Sequence, residues 1–132
     1  MLLVKTHIAS SPLHGIGLFA DERIARGTKI WRFEPRFDVQ ISKEEYELLP
    51  EVSQKFLLHY AHLDEKVFVL GSDNGRFMNH SDNPNTVGVE SADGYGETLA
   101  ARNILPGEEI TCDYHDFDED VGRKLNSDKM VE

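Results

Sequence analysis

Apolar and polar residues alternate over short runs along most of the chain, and turn-forming residues interrupt them often. Leu2 to Ala9 is strand-like, Leu18 to Ala20 gives a second short strand, and Lys29 to Phe33, which includes Trp31, gives a third. Ser10 to Gly17 contains Pro12, Gly15 and Gly17 and predicts a turn or loop, and Arg26-Gly27-Thr28 marks another turn. Lys66 to Leu70 returns to strand character. Gly71 to Asn85 is dense in Gly, Asn, Asp, Ser and Pro and predicts a loop-rich stretch. Thr98 to Asn103 and Glu109 to Tyr114 read as strands flanking the turn Leu105-Pro106-Gly107. No internal repeat or low-complexity tract stands out.

One segment follows a different period. Between Ser42 and His62, Tyr46, Leu49, Val52, Phe56, Leu57 and Tyr60 recur at mostly helical spacing. Ser42-Lys43-Glu44-Glu45 spells a capping box, with Ser42 as the N-cap and Glu45 reaching back to it, and Ile41 and Tyr46 stand where a hydrophobic staple forms. Pro50 divides the segment into two short helices. The pattern therefore predicts an α+β domain of many short strands with a helical insert at about 42–62 and an acidic, polar tail at about 116–132.

Composition narrows the class. The 132 residues correspond to one domain, residues 1–132, and the 39% hydrophobic and 29% charged fractions are those of a globular chain. No window approaches the roughly 18 apolar residues of a membrane span, and the apolar start is too short for a secretory signal, so an intracellular protein is expected, cytoplasmic or nuclear. A single cysteine, Cys112, rules out an internal disulfide framework and a multi-cysteine zinc site. The net charge of −10 is the opposite of what binding to nucleic-acid phosphates requires, so no direct nucleic-acid binding is expected. It would attract a cationic, lysine-rich protein, although the same balance also serves solubility alone.

Three segments carry candidate chemistry. In Leu13-His14-Gly15-Ile16-Gly17-Leu18, two glycines two apart let the backbone take unusual angles and approach a ligand. The third glycine and the βαβ setting of a dinucleotide fingerprint are missing, so the segment alone reads as a turn between strands. Arg76-Phe77-Met78-Asn79-His80-Ser81-Asp82-Asn83-Pro84-Asn85 offers amide donors and acceptors suited to an amino-acid-like ligand. It also reads as a self-satisfied Asn-rich loop or, in a secreted protein, as a glycosylation sequon. Gly107-Glu108-Glu109-Ile110-Thr111-Cys112-Asp113-Tyr114 runs from a turn through a strand to a tyrosine. Beyond it, Asp113, His115, Asp116, Asp118 and Asp120 are oxygen and imidazole ligands in principle, or a solvated charge run.

Taken together, in this order and spacing, the three segments resemble the SET-domain family over about residues 3 to 118. The family shows a GxG segment, an NHS-x-x-PN segment and a GEE-[IL]-x-x-x-Y segment, matched here by Gly15 to Gly17, Asn79 to Asn85 and Gly107 to Tyr114. The resemblance implies small sheets around a pseudoknot (a β-clip-like fold), and transfer of a methyl group from S-adenosylmethionine to a lysine of a basic protein. S-adenosylhomocysteine would be the product. It implies that His14, Gly15, Ile16 and Gly17 contact the cofactor by their backbone, and that Asn79 holds the cofactor's amino-acid end. The His80 backbone would meet the adenine, Arg76 and Phe77 would line the same pocket, and Tyr114 would be the catalytic tyrosine. The cysteine-rich module that completes the lysine channel in many members has no counterpart here. Phe117 is the expected replacement wall, and Glu34 the expected occupant of a channel position where a tyrosine is common; Thr86, Val87 and Gly88 also supply no tyrosine. A non-catalytic SET-like binding module is the alternative reading. The sequence leaves monomer and homodimer open.

Overall fold

The structure, a computed structural model, describes residues 1–64 and 67–116. Three small sheets account for its strands. In the first, β1 (Thr6–Ser10) and β2 (Ile16–Ala20) form an antiparallel hairpin, and β10 (Glu109–Cys112) lies between β2 and the two-residue β7 (Asn79–His80). β10 runs antiparallel to β2, with Ile110 opposite Leu18, and parallel to β7, with Thr111 opposite Asn79. The second and third of the motif segments therefore lie side by side, each pairing with the other's backbone.

The second sheet orders β3 (Lys29–Arg32), β9 (Gly96–Ala100) and β8 (Thr86–Glu90), with an irregularity between Lys29 and Trp31. The third orders β4 (Val39–Ser42), β6 (Val67–Leu70) and β5 (His62–Asp64). Between β4 and β5 the chain makes α1 (Lys43–Glu47) and α2 (Glu51–Tyr60). The capping box forms: Ser42 Oγ accepts from the Glu45 N–H at 3.1 Å, and Glu45 Oε1 accepts from the Ser42 N–H at 2.9 Å. Pro50 stands just ahead of the first residue of α2, where its missing N–H costs no helical hydrogen bond. Among the described residues no helix is long and apolar enough to cross a membrane.

The main core contains Leu18, Ala20, Ile24, Ile30, Ala100, Ile104 and Ile110, all almost wholly buried. Six of these expose an internal correspondence that the sequence reading passes over. Ala20, Ile24, Gly27 and Ile30 match Ala100, Ile104, Gly107 and Ile110 in spacing. The two segments bond reciprocally: Ile24 and Ile104 exchange both N–H···O bonds at 2.8 Å, Gly27 N–H donates to Ala100 O, and Gly107 N–H to Ala20 O. Gly27 and Gly107 share a positive φ, 85° and 89°, which is why both turns carry glycine. The repeat is too short and too diverged outside these positions to stand out by eye.

A second cluster, Leu57, Ala61 and Phe68, holds the helical insert on the third sheet, with Tyr46 stacked on Phe68 at 4.8 Å. The fully buried Asp38 carboxylate ties three separate stretches of chain together. It accepts from Glu34 N–H at 2.8 Å, from Ser72 N–H at 3.1 Å, and from the Met1 ammonium at 2.8 Å. Three donors of this kind supply the partners a buried carboxylate requires.

Candidate functional site

The site begins at the β1–β2 turn. Gly15 has φ of 44°, a backbone state that costs a side-chain-bearing residue, and no heavy atom stands within 4 Å of where a Cβ would be. Gly17 is constrained for the opposite reason. A Cβ there would lie 2.5 Å from Glu109 Oε2 and 3.0 Å from Ser11 Cβ, so the Glu109 carboxylate can take this position against the turn because that atom is missing.

Asn79 links this turn to β10. It is 8% exposed, and its Nδ2 lies within bonding distance of His14 O (3.0 Å), Ile16 O (3.2 Å) and Glu109 Oε2 (3.0 Å). Two amide hydrogens serve three acceptors, so at least one is shared. Ser11 Oγ donates to the same carboxylate, at 2.8 and 2.9 Å from its two oxygens. Glu109 is thus the counterpart that sequence reasoning missed. It stands in the third motif segment, but only the folded register shows that it receives the second motif's asparagine.

Asn85, 2% exposed, fixes the other side of β10. Its Nδ2 donates to Glu109 O at 2.8 Å, and its Oδ1 accepts from Thr111 N–H at 2.9 Å. The two asparagines that bracket the NHS segment therefore hold β10 from the side chain and from the backbone.

Tyr114 opens a 3₁₀ turn separated from β10 by Asp113 alone. His80 Nδ1 accepts the Tyr114 backbone N–H at 3.1 Å, which assigns the ring hydrogen to Nε2, 3.0 Å from Asp82 Oδ1. The two rings are 5.2 Å apart, and the Tyr114 hydroxyl is 3.5 Å from Met78 O. Asp113 accepts from His115 through the ring Nδ1 at 2.7 Å and through the backbone N–H at 3.0 Å. Those hydrogen bonds hold its carboxyl below the ordinary value of 3.8. His80, Asp113 and His115 present ligand atoms within 4.8 Å of one another. His80 Nδ1, however, is already the acceptor for Tyr114, and a cation there would have to displace that bond. Through these bonds His80, Asp113 and His115 brace the turn that carries Tyr114.

A cavity of about 340 Å³ opens beside Tyr114. Trp31, Phe33, Tyr60 and Tyr95 supply further aromatic walls, Cys112 and Met78 line it too, and Asp64, Glu90 and Glu97 contribute carboxylates. Arg76 also lines it. Its guanidinium group lies over the Phe56 ring at 5.6 Å, and its Nε reaches Asp73 O at 3.3 Å. Phe77 packs edge-on against Tyr60 at 5.5 Å. Glu34 is absent from the lining. Its carboxylate instead accepts from Arg36 Nε at 2.8 Å, a bond that holds its carboxyl below 4.5. The neighbouring Phe33, 6% exposed, faces the cavity in its place. The signal was present in the sequence: alternation puts Trp31 and Phe33 on one side of the chain and Arg32 and Glu34 on the other. Phe117 lies outside the described residues. Of the predicted site residues that are described, Arg76 and Tyr114 line the cavity; Asn79 bonds to the carbonyls of His14 and Ile16, and His80 to the Tyr114 backbone.

The model of the SET domain matches residues 15–115, and the chain belongs to that family. Among solved structures, the chain is similar to a Plasmodium falciparum protein named as a candidate histone methyltransferase, at 26% identity and a TM-score of 0.62, covering 86% of this chain and 95% of the other. It is also similar in fold to a chain of a humanized Chaetomium thermophilum Polycomb Repressive Complex 2 in an inhibitor-bound form. That match has 21% identity and a TM-score of 0.67 and covers 91% of this chain but 16% of the other. No curated protein matches it in sequence.

Proposed function

We propose that the chain is an S-adenosylmethionine-dependent protein-lysine N-methyltransferase acting on a basic protein. The observation that carries this reading is the placement of Tyr114 on a cavity that Trp31, Phe33, Tyr60 and Tyr95 also line, with its backbone held by the His80 of the second motif segment. Family membership and the histone methyltransferase description of the Plasmodium protein support it.

The residues present fit the cofactor. The Gly15 backbone has open space where a side chain would stand, and Asn79 spends its Nδ2 on the turn while its Oδ1 makes none of those bonds. His14 to Gly17, Arg76, Phe77, Asn79 and His80 would hold it. When bound, S-adenosylmethionine supplies a methyl group on a positively charged sulfur, open to in-line displacement by an amine.

This chain's part is to present a neutral amine in line. A free lysine has a pKa of about 10.4, so deprotonating it at pH 7 costs roughly 4–5 kcal/mol. The walls formed by Trp31, Phe33 and Tyr60 give little solvation to an ammonium and lower that cost. Asp64 and Glu90, on exposed positions of the lining, draw cationic side chains to the mouth. The Tyr114 hydroxyl, fixed through its backbone by His80, orients the amine, and alignment of this kind is a large part of catalysis.

The test is transfer of labelled methyl from the cofactor to core histones or to a lysate of the source cells, followed by mass spectrometry. Label on lysine side chains supports the reading. A folded protein that binds the cofactor and labels no protein in either mixture is instead a binding module.

A further inference from the structure

The second sheet carries an aromatic residue that neither the motif segments nor the pattern of strands singles out. Tyr95 ends the turn between β8 and β9, and its ring lies 4.7 Å from that of Phe33, tilted by 33°. Both rings line the cavity beside Tyr114. Gly88, on β8 of the same hairpin and paired with Thr98, lines it too and contributes no side chain.

The hairpin tip is built to hold Tyr95 where it is. Ser91 N–H donates to Tyr95 O at 2.8 Å, and Ser91 Oγ reaches the same oxygen at 2.7 Å. Asp93 Oδ1 accepts from the Tyr95 N–H at 3.1 Å and also from the Ser91 hydroxyl. Gly94, with φ of 86°, closes the turn and donates to Ser91 O at 3.0 Å. The hairpin is in turn fastened to the strand before the cavity, since Phe33 N–H donates to Gly96 O at 3.3 Å. A tip with this many internal bonds is a rigid mount, and a ring on a rigid mount can set the width of a channel.

We propose that Tyr95 is a specificity-determining residue of the substrate channel: its ring, backed by Phe33, forms the wall on the side where Gly88 offers no side chain, and it selects a lysine side chain by its aromatic face. The proposal rests on the methyltransferase reading for what enters the cavity, while the residue's own role is read from the hairpin. An aromatic face attracts an ammonium or methylammonium group and packs on the lysine stem.

The experiment compares wild type with Tyr95→Phe, Tyr95→Leu and Tyr95→Ala. An array of basic lysine peptides is screened with the wild type in the presence of S-adenosylhomocysteine, and the tightest peptide is carried through. Tyr95→Phe keeps peptide Kd and KM within about twofold, whereas Tyr95→Leu and Tyr95→Ala raise both by about tenfold. The Kd for S-adenosylhomocysteine stays unchanged in all three. Leucine fills the wall without a ring, so it isolates the aromatic contribution even if alanine loosens the hairpin. Equal peptide affinity across the four proteins overturns the proposal, as does a wild type that binds no peptide on the array. A wild type that binds peptide and transfers no methyl overturns the enzymatic reading alone, and the peptide Kd series still decides the role of Tyr95.

Discussion

Asn79 Nδ2 lies 3.0 Å from Glu109 Oε2, and the same nitrogen reaches the carbonyls of His14 and Ile16. A side chain in the second motif segment thereby fixes the turn of the first against the strand of the third. Replacing Asn79 with Ala leaves a carboxylate and two carbonyls short of a donor. The expected result is a loss of about 1–3 kcal/mol in urea denaturation. A weaker cofactor Kd by calorimetry accompanies it, because the glycine turn is no longer held. A variant with unchanged stability and affinity would show that the turn holds itself.

Gly17→Ala tests the close approach directly. The new methyl would stand 2.5 Å from the Glu109 carboxylate and 3.0 Å from Ser11 Cβ, so that carboxylate must shift from its bonds to Asn79 and Ser11. About 1–3 kcal/mol of destabilisation is expected, measured by chemical denaturation. Gly107→Ala is strained for another reason, its φ of 89°, and meets no neighbouring atom. Denaturation of the two variants side by side separates crowding from backbone strain.

Tyr114→Phe removes the hydroxyl and leaves the backbone N–H on His80 in place. Methyl transfer is expected to fall by roughly a hundredfold while the Kd for S-adenosylhomocysteine holds. Turnover equal to wild type would take the hydroxyl out of the reaction.

The acid limb of stability has a definite sign. The folded state holds the Asp113 carboxyl below 3.8, chiefly through the His115 side-chain hydrogen bond, and Glu45 below 4.5 through the Ser42 backbone bond. A group depressed by folding stabilises the protein above its unfolded value. That contribution disappears as the pH falls through the folded value. Urea midpoints measured between neutral pH and about pH 2 should therefore drop below the ordinary carboxylate range. Asp113→Asn should flatten part of that drop, and an unaltered profile would assign it to other carboxylates. The effect is small, because the Asp113 side chain is 35% exposed and solvent screens it.

Local chemistry was legible in the sequence wherever a few neighbouring residues decide the structure. The Ser42–Glu45 capping box, the break at Pro50, and the turns at Gly27 and Gly107 all form where residue type alone requires them. Strand edges were less legible. Leu2 and Val4 pack on the core without belonging to β1, which runs instead from Thr6 to Ser10 because its partner β2 sets the register. β8 has Gly88 at its centre and carries exposed Val87 and Val89, so its alternation is weak, and its register is set by pairing with β9. Of the site, the motif residues were readable as types. Glu109 and Tyr95 were not, because their roles depend on partners that are distant in sequence or lie across a turn. Glu34 and Phe33 differ by one position, and one position decides which side of an extended chain faces the cavity.

The place of β10 in the first sheet has a further consequence. Its residues come late in the chain, yet they occupy an interior position between β2 and β7. On a ribosome, the β1–β2 hairpin and the NHS segment emerge long before the strand that joins them, and β7 cannot pair until Thr111 and Cys112 arrive. Closing a loop from Ser11 to Glu109 is a slow, non-local event. A chain cut before Glu109 would lose the carboxylate that receives Asn79, the backbone that pairs β7, and Tyr114 in a single step. Synthesis thus has a built-in completeness check: only a polypeptide translated through this strand can bring the three motif segments together.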